Sequence, residues 1–488
     1  MPTIDPQKDY YAVLGILGDA DEEQVKKAYR DKARQYHPDS VDGGDAALFR
    51  NVQEAYEVLR DASLRRSYDR QREKRGFSDS APIALELMQN MCALPVLATS
   101  QMLYVMLDIR AKKNLDETRQ RLNLALVIDR STSMKGARMQ NVKLAANDLL
   151  NALHPDDRLA IVAFSDRAEV LAPSDYVRNA NFFHSAIAAL TPGGGTEIYQ
   201  GLLAGLRQVQ NVTANGTINH VILLTDGRTY GDEEFALSEA RRAGAQNIGI
   251  SALGIGEDWN DVFLDKLALY GGGVSQYIHS PTEVRDVLQN EIRGLSNTLA
   301  QRMQLEASLA PGVTIRNVHR AMPYMESLEY RAGQPIVLGN LTVTDPVSII
   351  FEVIVEDQAA GDRRLVRFEL QADEVPTSAK VRLYQELHVN FSATPQEEPI
   401  PPRMLNILMR LNVFQLQERA WAALEGGNTR QATRYLEAAA TKLFDMGYKE
   451  LGQAAMLEVG RISQGGEPTG TGRKRLRYGT RALSMPLG

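Results

Sequence analysis

Leu122 to Met134, LNLALVIDRSTSM, is an apolar run that stops at a polar turn carrying Asp129, Ser131 and Ser133 at alternate positions. A run rich in Val, Ile and Leu and halted by turn residues reads as a buried parallel strand delivering its loop to the carboxyl edge of a sheet. That edge is where open α/β sheets bind ligands. One carboxylate and two hydroxyls are hard oxygens, which suit magnesium, calcium or manganese rather than zinc. Asp and Ser are also ordinary helix N-cap residues, so the pattern needs company before it signifies a site.

Two later stretches supply that company. Gly193 to Thr196, GGGT, opens the helical pattern IYQGLLAGLRQV, and a hydroxyl in a glycine-rich loop can approach an ion without Cβ crowding. His220 to Asp226, HVILLTD, is a second apolar strand ending in a carboxylate, followed at once by the turn Gly227-Arg228. Asp129, Ser131, Ser133, Thr196 and Asp226, in this order on strand-to-helix loops, resemble the metal-ion-dependent adhesion site of von Willebrand factor A (VWA) domains. The resemblance implies one divalent cation, magnesium first with calcium or manganese as alternatives. It also implies that the two Ser and Thr196 coordinate directly or alternately, that the two Asp act mostly through water, and that a partner's carboxylate fills the open position. GIGEDWNDVFLDKLALYGGGVSQYI, further on, is similar to the matching part of VWA domains, so the resemblance spans 120 to 300.

The bounds of the chain agree with a multidomain protein. At 488 residues the length predicts about three domains, because single cores seldom exceed ~250 residues. A net charge of -6 argues against nucleic acid as a partner, which wants a basic face. The single Cys92 excludes an internal disulfide framework and a four-cysteine zinc site, and fits a reducing compartment. The opening MPTIDPQKDYY lacks the apolar core of a signal peptide, and the most apolar later stretch, 81 to 100, is interrupted by Glu86, Gln89 and Asn90. A soluble cytoplasmic protein without a membrane partner is expected.

Residues 5 to 75 form the first unit. Asp21 is placed as an N-cap before EEQVKKAYRDKARQY, where Val25, Ala28, Tyr29, Ala33 and Tyr36 recur at helical spacing; a second amphipathic helix, AALFRNVQEAYEVLRD, follows the loop HPDSVDGGD. Pro38 holds His37 out of helical conformation and leaves imidazole and the Asp39 carboxylate exposed. With DYYAVLG before it and SLRRSYDRQR after it, the segment resembles a J domain. The resemblance implies docking on a DnaK-type chaperone ATPase and stimulation of its ATP hydrolysis. His37, Pro38 and Asp39 match the essential tripeptide, and Lys26, Lys27, Arg30 and Arg34 match the basic docking face. No long Gly/Phe-rich stretch follows, and one cysteine cannot build the paired-zinc module of full-length DnaJ, so client choice must come from elsewhere in the chain.

The remaining organisation is read from periodicity. Residues 76 to 101 are expected as a linker passing through the amphipathic stretch IALELMQNM. Residues 120 to 300 alternate strand and helix, the mark of an α/β doubly wound parallel sheet. Residues 301 to 392 are short alternating segments, an antiparallel β-sandwich of about six strands, with MLYVMLDIRA at 102 to 111 as a seventh. Strand segments at 102–119 and 301–392 on either side of 120–300 imply that the α/β unit is inserted into the sandwich. Residues 403 to 464 read as a C-terminal α-helical bundle whose GNTRQATRYLEAAATKL is similar to a tetratricopeptide helix, although one repeat cannot build a solenoid. Residues 465 to 488, with five basic residues and no acid after Glu467, read as a flexible basic tail. His319 and His388 are read as structural.

No nucleophile paired with a base, no phosphate-binding loop and no Cys-His or Ser-His arrangement stands out, so a non-enzyme is expected. The leading expectation is a J-domain co-chaperone or adaptor that grips an acidic protein client through its metal site and brings it to a DnaK-type ATPase. The alternative is a VWA scaffold subunit of an AAA-type ATPase assembly, as in chelatase and MoxR-like systems, with the J domain aiding assembly.

Overall fold

The computed structural model describes residues 10–14, 16, 20–36, 46–74, 82–112, 119–213, 216–229, 231–356, 358–375, 379–395 and 399–483. The first unit consists of α1 (Tyr10–Leu14), α2 (Glu22–Tyr36), α3 (Ala46–Arg60) and α4 (Ala62–Lys74). Asp21 does cap α2, in reciprocal fashion: the Gln24 amide donates to Asp21 Oδ1 at 2.8 Å, and the Asp21 amide donates to Gln24 Oε1 at 2.9 Å. Tyr10, Tyr11, Leu14, Val25, Val52, Ala55, Leu59 and Tyr68 close over one small core. His37, Pro38 and Asp39 lie outside the described residues.

Three strands come next, β1 (Ile83–Gln89), β2 (Ala93–Pro95) and β3 (Gln101–Ala111). The chain then enters the α/β unit, with β4 (Arg121–Asp129), α5 (Ala137–Ala152), β5 (Arg158–Phe164), β6 (Ala168–Tyr176), α6 (Ala180–Ala188) and α7 (Ile198–Gln210). It continues through β7 (Thr217–Thr225), α8 (Glu233–Ala245), β8 (Ile248–Ile255), α9 (Asp261–Gly271), β9 (Ser275–Ile278) and α10 (Val284–Ser296). The sheet runs β6-β5-β4-β7-β8-β9, parallel except for the antiparallel edge strand β6. Strand β4 lies inside it, and Leu122 to Asp129 are all buried because helices cover both faces. Helices α5, α6 and α10 share the core of one face, and α7, α8 and α9 that of the other.

After this unit the chain returns to β structure, with β10 (Thr298–Leu309), β11 (Val313–Met322), β12 (Glu326–Leu328), β13 (Ile336–Thr342), β14 (Val347–Val355), β15 (Gly361–Glu374) and β16 (Lys380–Ser392). Two five-stranded sheets, β1-β3-β14-β11-β12 and β13-β10-β15-β16-β2, face each other. Their inward side chains form one core, in which the Phe351 and Phe368 rings lie 4.6 Å apart. Because β3 pairs with β14 along nine residues, from Gln101↔Val355 to Ile109↔Val347, the α/β unit is inserted into the sandwich. The expected linker at 76–101 is corrected here: β1 and β2 belong to the sandwich. In IALELMQ, Ile83 and Leu85 alternate inward, and only the pairing with β3 decides for a strand over a helix.

The C-terminal helices are α11 (Pro402–Glu425), α12 (Thr429–Asp445), α13 (Lys449–Ser463) and α14 (Gly470–Arg481). Met404, Ile407, Leu411 and Phe414 of α11 pack on Met106, Ala321, Met325 and Ile350, outside the first sandwich sheet. Arg403 donates to Asp108 at 2.8 Å at this contact. The expected flexible tail at 465–488 is also corrected, since 470–481 is a helix docked on the α/β unit. Arg477 pairs with Asp261 at 2.7 Å and with Asp265 at 3.0 Å, and Arg481 pairs with Asp265 at 2.9 Å. Lys474 is buried, lies 4.2 Å from the Trp259 ring centre and donates to the carbonyls of Glu257 and Trp259. Desolvation pushes its ammonium down to about 8.

Candidate functional site

Asp129 is the last residue of β4, and Asp226 directly follows β7, so the two neighbouring parallel strands end with their carboxylates side by side. Both are fully buried. Asp129 accepts from the Ser131 amide and from the Thr225 hydroxyl, each at 2.7 Å. The Ser131 and Ser133 hydroxyls are 2.9 Å apart, and Ser133 donates to Asp226 Oδ1 at 2.6 Å. Four of the five singled-out residues are thus joined in one chain of hydrogen bonds.

The fifth arrives through a helix held tightly on the sheet. A Cβ at Gly201 would lie 2.6 Å from the Phe164 ring, and one at Gly205 would lie 2.4 Å from Val127, so α7 sits close against β4 and β5. Thr196, two residues before α7, is carried to the same edge, its hydroxyl 3.0 Å from where a Cβ on Gly227 would stand. The preceding glycine loop is pinned from both sides. Gly193 donates to Arg130 O at 2.6 Å, Thr132 donates to Gly194 O through both its amide and its hydroxyl at 3.0 Å, and Gly195 donates to Asp166 Oδ1 at 2.9 Å. Gly194 has φ +90°, and a Cβ there would strike Asp166, which is why glycine stands at this point.

Sequence reading missed Thr225, Asp166 and Arg138. Thr225 and Asp166 could have been suspected only from adjacency to the strand ends. Arg138 could not, because it reaches back from α5 to Asp226 Oδ2 at 2.5 Å. Burial, opposed by the hydrogen bonds from Thr225 and Ser131 and aided by the Asp226 charge, pushes Asp129 up to about 6. Two desolvated carboxylates and three hydroxyls at one edge are an all-oxygen donor set that a hard divalent cation fits. Among the described residues no group of three or more His, Cys, Asp or Glu side chains could hold a metal ion, so a cation at this edge requires the hydroxyls.

At the other functional candidate, Lys26, Lys27, Arg30 and Arg34 are all exposed on α2. Tyr36, the last residue of that helix, donates to Asp362 of β15 at 3.0 Å.

Residues 9–69 match the DnaJ domain family and residues 123–290 the von Willebrand factor type A domain family. The chain therefore carries a J domain and a VWA domain. Residues 402–486 match the Sll0103-like C-terminal alpha-helical domain, which takes in the docked tail helix. The chain is 25% identical over 387 residues to the protein sll0103 of Synechocystis sp., covering 78% of this chain and 92% of that one. Its first unit is 48% identical over 66 residues to the chaperone protein DnaJ of Hydrogenobacter thermophilus, covering 13% of this chain and 18% of that one. A solved von Willebrand factor type A protein from Catenulispora acidiphila shares the fold with a TM-score of 0.67 at 18% identity, over 84% of this chain and 99% of that one. No helix among the described residues is long and apolar enough to cross a membrane.

Proposed function

We propose that the protein is a J-domain adaptor that holds a protein partner through a divalent cation at the carboxyl edge of its VWA sheet and recruits a DnaK-type chaperone ATPase through its first unit. The observation that carries the reading is the gathering of Asp129, Ser131, Ser133, Thr196 and Asp226 at one edge of a chain that also has a J domain. The protein acts by binding and not by catalysis. The cation, magnesium in this reading, supplies a Lewis-acidic position that an acidic side chain of the client can occupy. Magnesium keeps several waters and seldom takes an all-protein cage, so the free protein binds it weakly and the client's carboxylate tightens the site. Asp129 and Asp226 contribute negative charge, the three hydroxyls contribute neutral oxygens, and Arg138 balances Asp226.

His37, Pro38 and Asp39 address the chaperone ATPase, with Lys26, Lys27, Arg30 and Arg34 of α2 as the basic face. Two measurements test the two halves separately. Stimulation of single-turnover ATP hydrolysis by a DnaK-type ATPase is expected to fall to the basal rate with His37→Gln, the helices remaining folded by circular dichroism. Magnesium-dependent capture of a co-purifying partner is expected to be lost with Ser133→Ala while ATPase stimulation persists. Unchanged stimulation by His37→Gln, or capture that survives both chelator and Ser133→Ala, would overturn the corresponding half.

A further inference from the structure

A cleft lies at the opposite end of the VWA sheet from the oxygen cluster and shares no residue with it. It sits between the amino edge of the sheet and the sandwich and has about 530 Å³, a volume typical of small-molecule sites, which favour domain boundaries. One wall is the start of β8 with the C-terminal ends of α8 and α9; the other is β10 and the sheet-edge strand β13. Leu269, Leu328 and Ile336 give it apolar surface, with the Tyr270 ring beside them. The walls are fixed to each other where the two units meet backbone to backbone. A Cβ at Gly339, which has φ +79°, would stand 3.2 Å from Gly272 O, and the Tyr324 hydroxyl donates to Gly273 O at 3.5 Å.

Two features mark the cleft as more than a packing defect. Among the described residues, the non-glycine positions with left-handed backbone are Asn247, at φ 61°, and Arg302, at φ 53°, and both line this cleft. Arg302 falls where the register of β10 against β15 shifts between Gln301 and Gln304, and the Asn247 side chain donates to buried Gln301. Such strain persists where surroundings over-determine it, and bulges re-aim side chains at ligand sites. The second feature is charge. Arg302 is committed to Asp373. Arg241 lies with its guanidinium 3.9 Å from the Tyr270 ring centre, and among the described residues neither Arg241 nor Arg331 has an ion-pair partner. Both are exposed cleft-lining residues, and among the described residues that line the cleft the one acid is Glu329. In a chain of net charge -6, two unpaired guanidinium forks beside an apolar pocket form a local anion-attracting spot.

We propose that this cleft binds a small amphiphilic anion, an aromatic carboxylate or phosphate ester whose apolar body lies against Leu269, Leu328 and Ile336 and whose anionic end is taken by Arg241 and Arg331. The full-length protein is titrated calorimetrically with 1-naphthyl phosphate, 1-naphthoate and the neutral 1-naphthalenemethanol, and the same titrations are run on the double variant Arg241→Gln, Arg331→Gln. Both arginines are exposed, so the variant keeps its fold, which circular dichroism checks. At least one anion is expected to bind the wild type at least about tenfold more tightly than either the neutral alcohol binds the wild type or that anion binds the variant. The better of the two anions tells phosphate ester from carboxylate. Failure of both anions to bind, equal binding by the neutral alcohol, or undiminished binding to the double variant would overturn the proposal. A Val337→Trp variant, which places a bulky ring at the cleft wall, separates this cleft from other apolar surfaces: it is expected to abolish anion binding, and retained binding would also overturn the assignment.

Discussion

In the metal-free protein, replacing Asp129 with asparagine is expected to stabilise the VWA core, and adding magnesium is expected to reverse the order. Burial raises the Asp129 carboxyl from 3.8 to about 6. At 1.36 kcal/mol for each unit, holding this group ionised at pH 7 without a cation costs about 3 kcal/mol. The Asp129→Asn substitution removes that charge at constant shape but gives up about 1 kcal/mol, because the amide oxygen can accept from only one of the two donors, the Ser131 amide and the Thr225 hydroxyl. The net gain is about 2 kcal/mol in chelator. At a magnesium concentration of about one hundred times Kd the wild type alone gains about 2.7 kcal/mol, so the two proteins change places. The sign of the pH dependence follows from the same shift. Between the unfolded value of 3.8 and the folded value of about 6 the native state binds more protons than the unfolded state, so wild-type stability falls as pH rises through that window. The advantage of Asp129→Asn should therefore be largest at pH 7 and vanish toward pH 4. Hydrogen exchange of the β4 and β7 amides, measured in chelator and in magnesium, reads this out locally. A variant less stable than wild type in chelator, or equal stabilisation of both proteins by magnesium, would refute the reasoning.

Asp265→Asn should release the C-terminal helix: it removes the ion-pair partner of Arg481, whose side chain is only 12% exposed, while Arg477 keeps Asp261 at 2.7 Å. Stranding a nearly buried charge costs about 3 kcal/mol, and trypsin cleavage within 473–481 should accelerate by at least about tenfold; unchanged cleavage would mean that the helix is held by other contacts. His388, held up to about 9 by its hydrogen bonds with Asp362 and Glu386, contributes stability that is complete below pH 6.5 and is lost as pH rises through 9. Its imidazole titration, followed by NMR, should move toward the ordinary histidine value in Asp362→Asn, and an unmoved titration would show that Asp362 is not its partner.

Much of the molecule is written locally along the chain. Apolar runs ending in Asp129 and Asp226 declare buried parallel strands because helices on both faces of a sheet leave few positions where a polar side chain can reach solvent, and their loops must then meet at one edge. The cap at Asp21, and the split of sandwich strands around the VWA domain, are legible for the same reason: each depends on residues a few positions apart or on the order of periodic segments. What the chain could not declare depends on partners brought close only by folding. IALELMQ satisfies helical and strand periodicity almost equally, and β3 alone makes it a strand. The Gly-rich, Arg-rich segment at 470–481 has no core of its own and reads as a solvated tail until Asp261, Asp265 and the Trp259 ring take up its charges. Arg138 beside Asp226, and the cleft between the sheet's amino edge and β13, are likewise invisible to periodicity. Spacing along the chain fixes which face a side chain takes, whereas charge pairing and cavity shape are set by distances between segments that only the packed structure brings together.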